Sequence, residues 1–93
     1  MDAHVRKAED RSRYELVVDG ELVGIADYRI SGDQIVFPHT VITPDRRGQG
    51  LGEVLVRGAL DDVRGSGLEV VPTCWFVREF IEANDEYADL LAA

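Results

Sequence analysis

The segment RRGQGLG, residues 46–52, places three glycines within five positions directly before an amphipathic segment. Glycine is unfavourable inside a helix and contributes no side-chain packing. This density of glycine therefore indicates an unusual backbone shape or a close approach of the backbone to a ligand. The residues before it, QIVFPHTVIT, are rich in β-branched side chains and predict a strand, and the spacing of apolar residues predicts a helix from Leu51 to Arg64.

Turn residues and periodicity predict the remaining elements. The segment YELVVDGELVGIADYRI predicts a β-hairpin with its tight turn at Asp19-Gly20. Pro38 removes an N–H group from the third strand, so we expect a β-bulge there. Further along, LEVV predicts a fourth strand and TCWFVREFIEAN predicts a second helix.

The predicted order is β-β-β-α-β-α within a single domain spanning residues 1–93. This is a mixed α/β (α+β) fold, in which antiparallel N-terminal strands are followed by a β-α-β unit and a C-terminal helix. The β-α-β unit, between Val41 and Val71, makes two strands parallel and has a right-handed crossover. Residues 1–12 are polar, and we expect them to be flexible.

Charge and cysteine content narrow the function classes. With 18 acidic and 10 basic side chains the formal net charge is −8, which argues against binding to nucleic acid. It favours a cationic or amine-bearing partner, such as a lysine-rich peptide or a polyamine, although solubility is the commoner reason for such a charge. A single cysteine excludes an internal disulfide and a cysteine-rich zinc site, and we predict no metal site. The chain has neither an apolar run long enough to span a membrane nor a signal peptide, so we expect a cytoplasmic protein.

A strand, a glycine loop and a helix in this order predict an anion site. N–H groups in the first turn of a helix have no intrahelical partners, and the helix dipole adds positive potential there. The Walker motif is excluded because no Gly-Lys-Ser/Thr sequence is present. The dinucleotide motif G-x-G-x-x-G is excluded in both registers, because Glu53 and Leu55 occupy the position of its third glycine.

The loop resembles the acyl-CoA pyrophosphate loop of the GNAT N-acetyltransferase superfamily, whose pattern is Arg/Gln-x-x-Gly-x-Gly/Ala. Arg47, Gly50 and Gly52 match that pattern. In that family the backbone N–H groups of this loop bind the pyrophosphate of coenzyme A, so the resemblance implies acetyl-CoA or coenzyme A as the ligand. The binding residues that it implies are Val41, Ile42, Arg46, Arg47, Gly48, Gln49, Gly50, Leu51 and Gly52. An ordinary tight turn, with Gly50 and Gly52 packed closely on the sheet, is the alternative.

Two further motifs are similar to the minimal single-domain branch of this superfamily. HTV at residues 39–41 precedes the loop, and PTCWF at residues 72–76 follows the next strand. Members of that branch lack the usual N-terminal helices and carry a cysteine just beyond the strand that follows the CoA helix. Pro38 departs from the expected pattern. The tyrosine acid common in the superfamily has no clear counterpart, because Tyr87 lies too far along the chain.

Cys74 and His39 are the candidate catalytic residues. We predict that Thr73 caps the second helix and that Cys74 lies in its first turn, where the helix dipole stabilises a thiolate. The parallel strand pair places that turn at the same end of the sheet as the glycine loop. A small buried structural cysteine is the alternative for Cys74. His39 is a candidate general base, and an imidazole hydrogen-bonded within the sheet is its alternative.

Together these features predict an acetyl-CoA-dependent N-acetyltransferase that acts on a primary amine. In the direct route the amine attacks the thioester carbonyl, which a bulge N–H group near Val41 or Ile42 polarises. In the other route the acetyl group passes through Cys74 as a covalent intermediate. We expect Trp75 in the core or as a wall for the pantetheine arm rather than as a stacking platform for bases. A non-catalytic acyl-CoA-binding or protein-interaction module is the alternative function.

Overall fold

The strands of the sheet lie side by side in the order in which they occur along the chain. The computed structural model describes residues 2–92 of the chain. Within these residues the five strands are β1 (Ala3–Ala8), β2 (Arg13–Val18), β3 (Glu21–Ser31), β4 (Gln34–Ile42) and β5 (Glu69–Val71). The two α-helices are α1 (Leu51–Arg64) and α2 (Trp75–Ala83). Short 3₁₀ turns lie at Glu9–Arg11, Pro44–Arg46 and Asp85–Leu90.

The pairing of the strands confirms the predicted mixed fold. β1 to β4 pair antiparallel with their neighbours, and β2 and β3 form the hairpin whose turn is Asp19-Gly20. β4 and β5 pair parallel, with α1 as the crossover between them. The sheet has one strand more than the sequence predicts, and that strand is β1.

The prediction that residues 1–12 are flexible is wrong for Ala3–Ala8, which form the edge strand β1 on β2. Residues 3–6 of the segment AHVRKA alternate small or apolar with polar residues, but Lys7 and Ala8 break that period of two. Ala3 and Val5 pack against the hydrophobic core, whereas His4 and Arg6 are exposed. Val5 lies against Gly58 of α1, where an added Cβ would stand 2.5 Å from Val5 Cγ2.

Replacing Gly58 by Val should destabilise the protein, because its new side chain has no room beside Val5. Overpacking of this kind costs about 1–3 kcal/mol, and each kcal/mol lowers the melting temperature of a domain this size by roughly 4–8 °C. The companion change Val5→Ala should recover part of the loss, which thermal unfolding of the double variant measures. Gly65→Ala is the matched control, since a Cβ there meets only Asp62 O, at 3.7 Å. A Gly58→Val protein as stable as the wild type would show that β1 does not pack on α1.

The predicted bulge in β4 is confirmed. Asp27 of β3 pairs with His39, and Arg29 pairs with Val36, so the single residue Tyr28 lies opposite both Phe37 and Pro38. Extra residues of this kind bend a strand and interrupt its ladder. The bulge also coincides with the end of the parallel pairing, because β5 pairs only with residues 34–36 of β4.

β4 therefore continues beyond β5 with one edge open. The chain leaving β5 is tied to β4 at a single backbone oxygen, that of Phe37. The Cys74 N–H donates to this oxygen at 2.9 Å, and the Thr73 hydroxyl donates to it at 3.3 Å. Past that point the strand and the start of α2 diverge, and a cleft forms between them.

Both helices pack on the same face of the sheet. In α1 the fully buried side chains are Leu51, Leu55, Val56, Ala59, Leu60 and Val63. Val54 is exposed, whereas Val56 and Leu60 belong to the buried face. In α2 the side chains of Val77, Phe80 and Ile81 are buried, and that of Phe76 is half-buried. Within residues 2–92, no helix is long and apolar enough to cross a membrane.

Candidate functional site

A cleft of about 550 Å³ lies between the open edge of β4, the glycine loop and the start of α2. Clefts of this volume accommodate small-molecule ligands. Its lining residues are His39, Thr40, Val41, Ile42, Arg46, Arg47, Gly48, Gly50, Leu51, Gly52, Glu53, Cys74, Trp75 and Phe76. The structure therefore brings together the residues that the sequence singles out, with the exception of Gln49, which is exposed and does not line the cleft.

The glycine loop presents a row of uncommitted backbone donors. In the described part of the chain the N–H groups of residues 48–53 donate to no acceptor, and the Val54 N–H bonds to Gly50 O at 3.4 Å. Gly48 and Gly50 have φ of 83° and 74°, a region that favours glycine. At both positions a Cβ would meet no atom within 4 Å, so open space lies beside the loop. A phosphate oxygen fits such a cradle without displacing a side chain.

Gly52 has a packing role that differs from the one considered from the sequence. A Cβ at Gly52 would stand 2.8 Å from Cζ of Phe76, so this glycine lets α1 approach the side chain of α2 rather than the sheet. The close approach places the start of both helices on the same cleft. Phe76 also lines the cleft, although it is not among the site residues predicted from the sequence. Its helical spacing indicates on which side of α2 its side chain lies.

Two arginines flank the loop in different ways. Arg46 is engaged, because its Nη2 donates to Glu21 Oε1 at 3.0 Å. Arg47 is exposed and is held at the cleft by a hydrogen bond from Nε to Ile42 O at 3.1 Å. The terminal nitrogens of Arg47 make no hydrogen bond among residues 2–92, which leaves them available for an anion.

The N–H groups that face the cleft from β4 belong to Thr40 and Ile42. The Thr43 N–H donates to Val23 O on β3, at 2.9 Å. Since successive N–H groups of a strand point to opposite edges, those of Ile42 and Thr40 point away from β3 towards the open edge. The expectation of a bulge N–H group near Val41 or Ile42 needs correction, because the bulge lies upstream of these residues. The regular alternation of the strand after the bulge exposes the N–H groups of Thr40 and Ile42.

Cys74 lies on the cleft wall, but not in the first turn of α2. It is the N-cap residue, with φ −74° and ψ 126°, and its own N–H is used by Phe37 O. The predicted cap by Thr73 is therefore wrong, because the Thr73 hydroxyl bonds to Phe37 O instead. The Cys74 thiol is buried and donates to Thr40 Oγ1 at 3.7 Å.

His39 lines the same cleft without a hydrogen bond to Cys74. Its side chain is exposed, and its strand partner in β3 is Asp27. Among the described residues it makes no side-chain hydrogen bond. The alternative for His39, an imidazole hydrogen-bonded within the sheet, is therefore not found. The polar group beside the thiol is the hydroxyl of Thr40, the middle residue of the HTV motif.

The structure places the aromatic residues Trp75 and Tyr87 in different surroundings. Trp75, expected in the core or as a wall for the pantetheine arm, is 62% exposed at the rim of the cleft and so does not belong to the core. Tyr87 is buried away from the cleft, and its hydroxyl donates to Asp61 Oδ1 at 2.6 Å. Burial and the neighbouring Asp61 carboxylate raise the pKa of Tyr87, so it stays protonated as a structural side chain.

The described residues offer no donor set for a metal ion. Among residues 2–92, no group of three or more His, Cys, Asp and Glu side chains is placed to hold one. Glu53, in the first turn of α1, is the one carboxylate among the residues that line the cleft. Glu53 is not among the site residues predicted from the sequence, although an acidic residue in a first helical turn is a recognisable signal.

Sequence comparison places residues 13–90 within the model of the family described as GCN5-related N-acetyl-transferase. The protein NATD1 of Bos taurus is 33% identical to this chain, over 86% of this chain and 74% of that protein. The matched segment contains the hairpin, the bulge, the glycine loop and Cys74.

Two solved structures are similar to the fold. The NMR structure of a GCN5-like protein from Staphylococcus aureus has a TM-score of 0.72, with 21% identity over 97% of this chain and 88% of that one. The crystal structure of N-acetylglutamate synthase from Neisseria gonorrhoeae, which contains coenzyme A and N-acetyl-glutamate, has a TM-score of 0.59. The two chains are 25% identical, over 69% of this chain and 16% of the synthase chain.

Proposed function

The chain belongs to the GCN5-related N-acetyltransferase family, and on that premise we propose that it transfers the acetyl group of acetyl-CoA to a primary amine. The observation that carries the proposal is the row of uncommitted N–H groups at residues 48–53, which opens into a cleft running along the free edge of β4. A diphosphate is the ligand chemistry that such a row recognises.

The residues of the cleft divide naturally between the two ends of acetyl-CoA. The N–H groups of residues 48–53 and the free nitrogens of Arg47 suit the pyrophosphate. The Ile42 N–H, next to Arg47, suits an amide oxygen of the pantetheine arm. The Thr40 N–H, beside the Cys74 thiol, suits the thioester carbonyl.

The direct route is the one that this geometry favours. The neutral amine attacks the thioester carbon, the Thr40 N–H stabilises the negative oxygen that forms, and the C–S bond then breaks to release the CoA thiolate. The proton lost by the amine nitrogen ends on that thiolate or in water. The covalent route requires a base within hydrogen-bond reach of Cys74, and among the described residues the thiol forms a hydrogen bond only to the hydroxyl of Thr40.

Cys74→Ala should therefore retain turnover. We expect kcat to fall by less than tenfold, which is about 1.4 kcal/mol in the barrier, whereas loss of a true nucleophile costs many orders of magnitude. Intact-mass analysis of the wild type with acetyl-CoA should show no acetyl adduct on Cys74. The variant Cys74→Ser keeps a polar group beside Thr40 and controls for packing. An acetyl adduct that forms and decays at the rate of turnover would establish the covalent route instead.

The release of free CoA tests the function itself. Purified protein with acetyl-CoA should release CoA only when an amine is added, whereas a binding module would bind CoA without releasing it. Lysine-rich peptides and polyamines are the first acceptors to try, because the net charge of −8 attracts cations over about 10 Å at 0.1 M salt. Tight CoA binding without turnover of basic, neutral or acidic amines would favour the non-catalytic module.

A further inference from the structure

Trp75 is the most exposed of the large hydrophobic side chains that the structure describes, at 62%. It is also the only tryptophan of the sequence. Its ring stands edge-on to Phe76, with ring centroids 5.8 Å apart and ring planes at 82°. Phe76 is itself held against Gly52 of α1, so the indole has a fixed support and one face towards solvent. A supported, exposed indole at the rim of a cleft is suited to stack on a flat ligand.

A second cleft of about 270 Å³ begins at Trp75 and runs between α1 and α2. It shares Glu53, Trp75 and Phe76 with the first cleft, and Phe80 and Ala83 give it an apolar floor. The two clefts therefore form one continuous surface, with Trp75 at their junction.

The polar groups of the second cleft accept hydrogen bonds. Glu53 and Glu79 line it, and neither forms an ion pair within residues 2–92. The Asn84 amide is already engaged, since its Nδ2 donates to Phe80 O at 2.8 Å and its Oδ1 accepts from Arg57 at 3.1 Å. These carboxylates oppose a phosphate but match a flat, uncharged ring that carries an amino group.

The first cleft is needed for the pantetheine arm, because Thr40 and Cys74 lie at its far end from the glycine loop. The adenosine end of CoA must then leave the loop by another path. A groove beside β1, lined by residues that include His4 and Val54, has the small imidazole of His4 but no Phe, Tyr or Trp side chain. The second cleft offers Trp75 and Phe76.

We infer that Trp75 stacks on the adenine of CoA and that the cleft between α1 and α2 receives this base, an assignment that rests on the proposed function. Glu53 and Glu79 accept from the adenine amino group, and the apolar floor covers the edge of the ring. The indole thereby separates two parts of the ligand, with the base on one side and the pantetheine arm on the other.

The fluorescence of Trp75 reports on this contact directly. CoA and adenosine 3′,5′-bisphosphate should both quench it, whereas 4′-phosphopantetheine should bind without quenching. Equal quenching by 4′-phosphopantetheine, or CoA binding measured by calorimetry without any change in fluorescence, would overturn the assignment and leave the proposed function intact. No calorimetric binding of CoA would overturn both.

Variants separate stacking from general binding. Trp75→Leu should weaken CoA binding roughly tenfold, as expected for loss of one aromatic–base stack, and should leave the affinity for 4′-phosphopantetheine unchanged. Trp75→Phe should retain most of the CoA affinity. The matched control is Ile30→Ala, because Ile30 is 49% exposed and lines neither cleft. An equal loss of affinity for both ligands in Trp75→Leu would place the indole on the pantetheine arm and reject the adenine assignment.

Discussion

Gly50→Asp should weaken CoA binding by at least a hundredfold, which is about 2.7 kcal/mol in binding free energy. Gly50 is the N-cap of α1, and a side chain there would project into open space beside the loop. An aspartate carboxylate at this position accepts hydrogen bonds from the free N–H groups of the first helical turn. It therefore occupies the place of the pyrophosphate and also repels it. Calorimetry with CoA and the CoA-dependent shift in melting temperature measure the loss.

The fold should survive the change, because aspartate tolerates positive φ better than most residues and caps helices well. Gly67→Asp is the matched control, since Gly67 has φ of 80°, has open space where a Cβ would stand and lies outside the cleft. Gly50→Asn tests the charge alone and should lose less affinity than Gly50→Asp. Wild-type CoA binding by Gly50→Asp would remove the glycine loop from the binding site.

Thr40→Pro should lower kcat by about 10²–10³-fold while changing CoA affinity little. Proline removes the one N–H group that we assign to the developing oxyanion. Because this N–H points away from β3, its removal breaks no bond of the sheet ladder. An interaction made mainly in the transition state affects kcat and leaves ground-state binding nearly unchanged.

Thr40→Val separates the backbone from the side chain. This variant keeps the N–H group and loses the hydroxyl that contacts Cys74, so its kcat should stay close to that of the wild type. Thermal unfolding of both variants shows whether the strand is intact. If Thr40→Val and Thr40→Pro lose activity equally, the hydroxyl rather than the N–H group is the active element of Thr40.

Local chemistry allowed much of this fold to be predicted. The Asp19-Gly20 turn, the bulge at Pro38 and the strand–loop–helix order around residues 46–52 each follow from backbone restrictions of glycine and proline, which act within a few residues. The shared cleft of the loop and Cys74 follows from the parallel pairing of β4 and β5.

The features that were missed depend on contacts between distant segments. β1 is stabilised by pairing with β2 and by the contact of Val5 with Gly58, neither of which is visible in the polar segment AHVRKA. The cap position of Cys74 is set by Phe37 O, which lies on another strand. Whether Trp75 lies in the core or at a cleft depends on how Phe76 packs against Gly52, so the sequence left both alternatives open.

The extra residue in β4 reverses the alternation of the strand, so that each later backbone group faces the opposite neighbour. Positions 37 and 43 are an even number apart, so in an uninterrupted strand both would face the same neighbour. Yet Phe37 O faces Cys74, whereas the Thr43 N–H faces Val23 on the opposite side. Without the inserted residue, the N–H groups of Thr40 and Ile42 would be turned inward and used by β3. A single inserted residue thus decides which residues of this strand offer their N–H groups to the open edge.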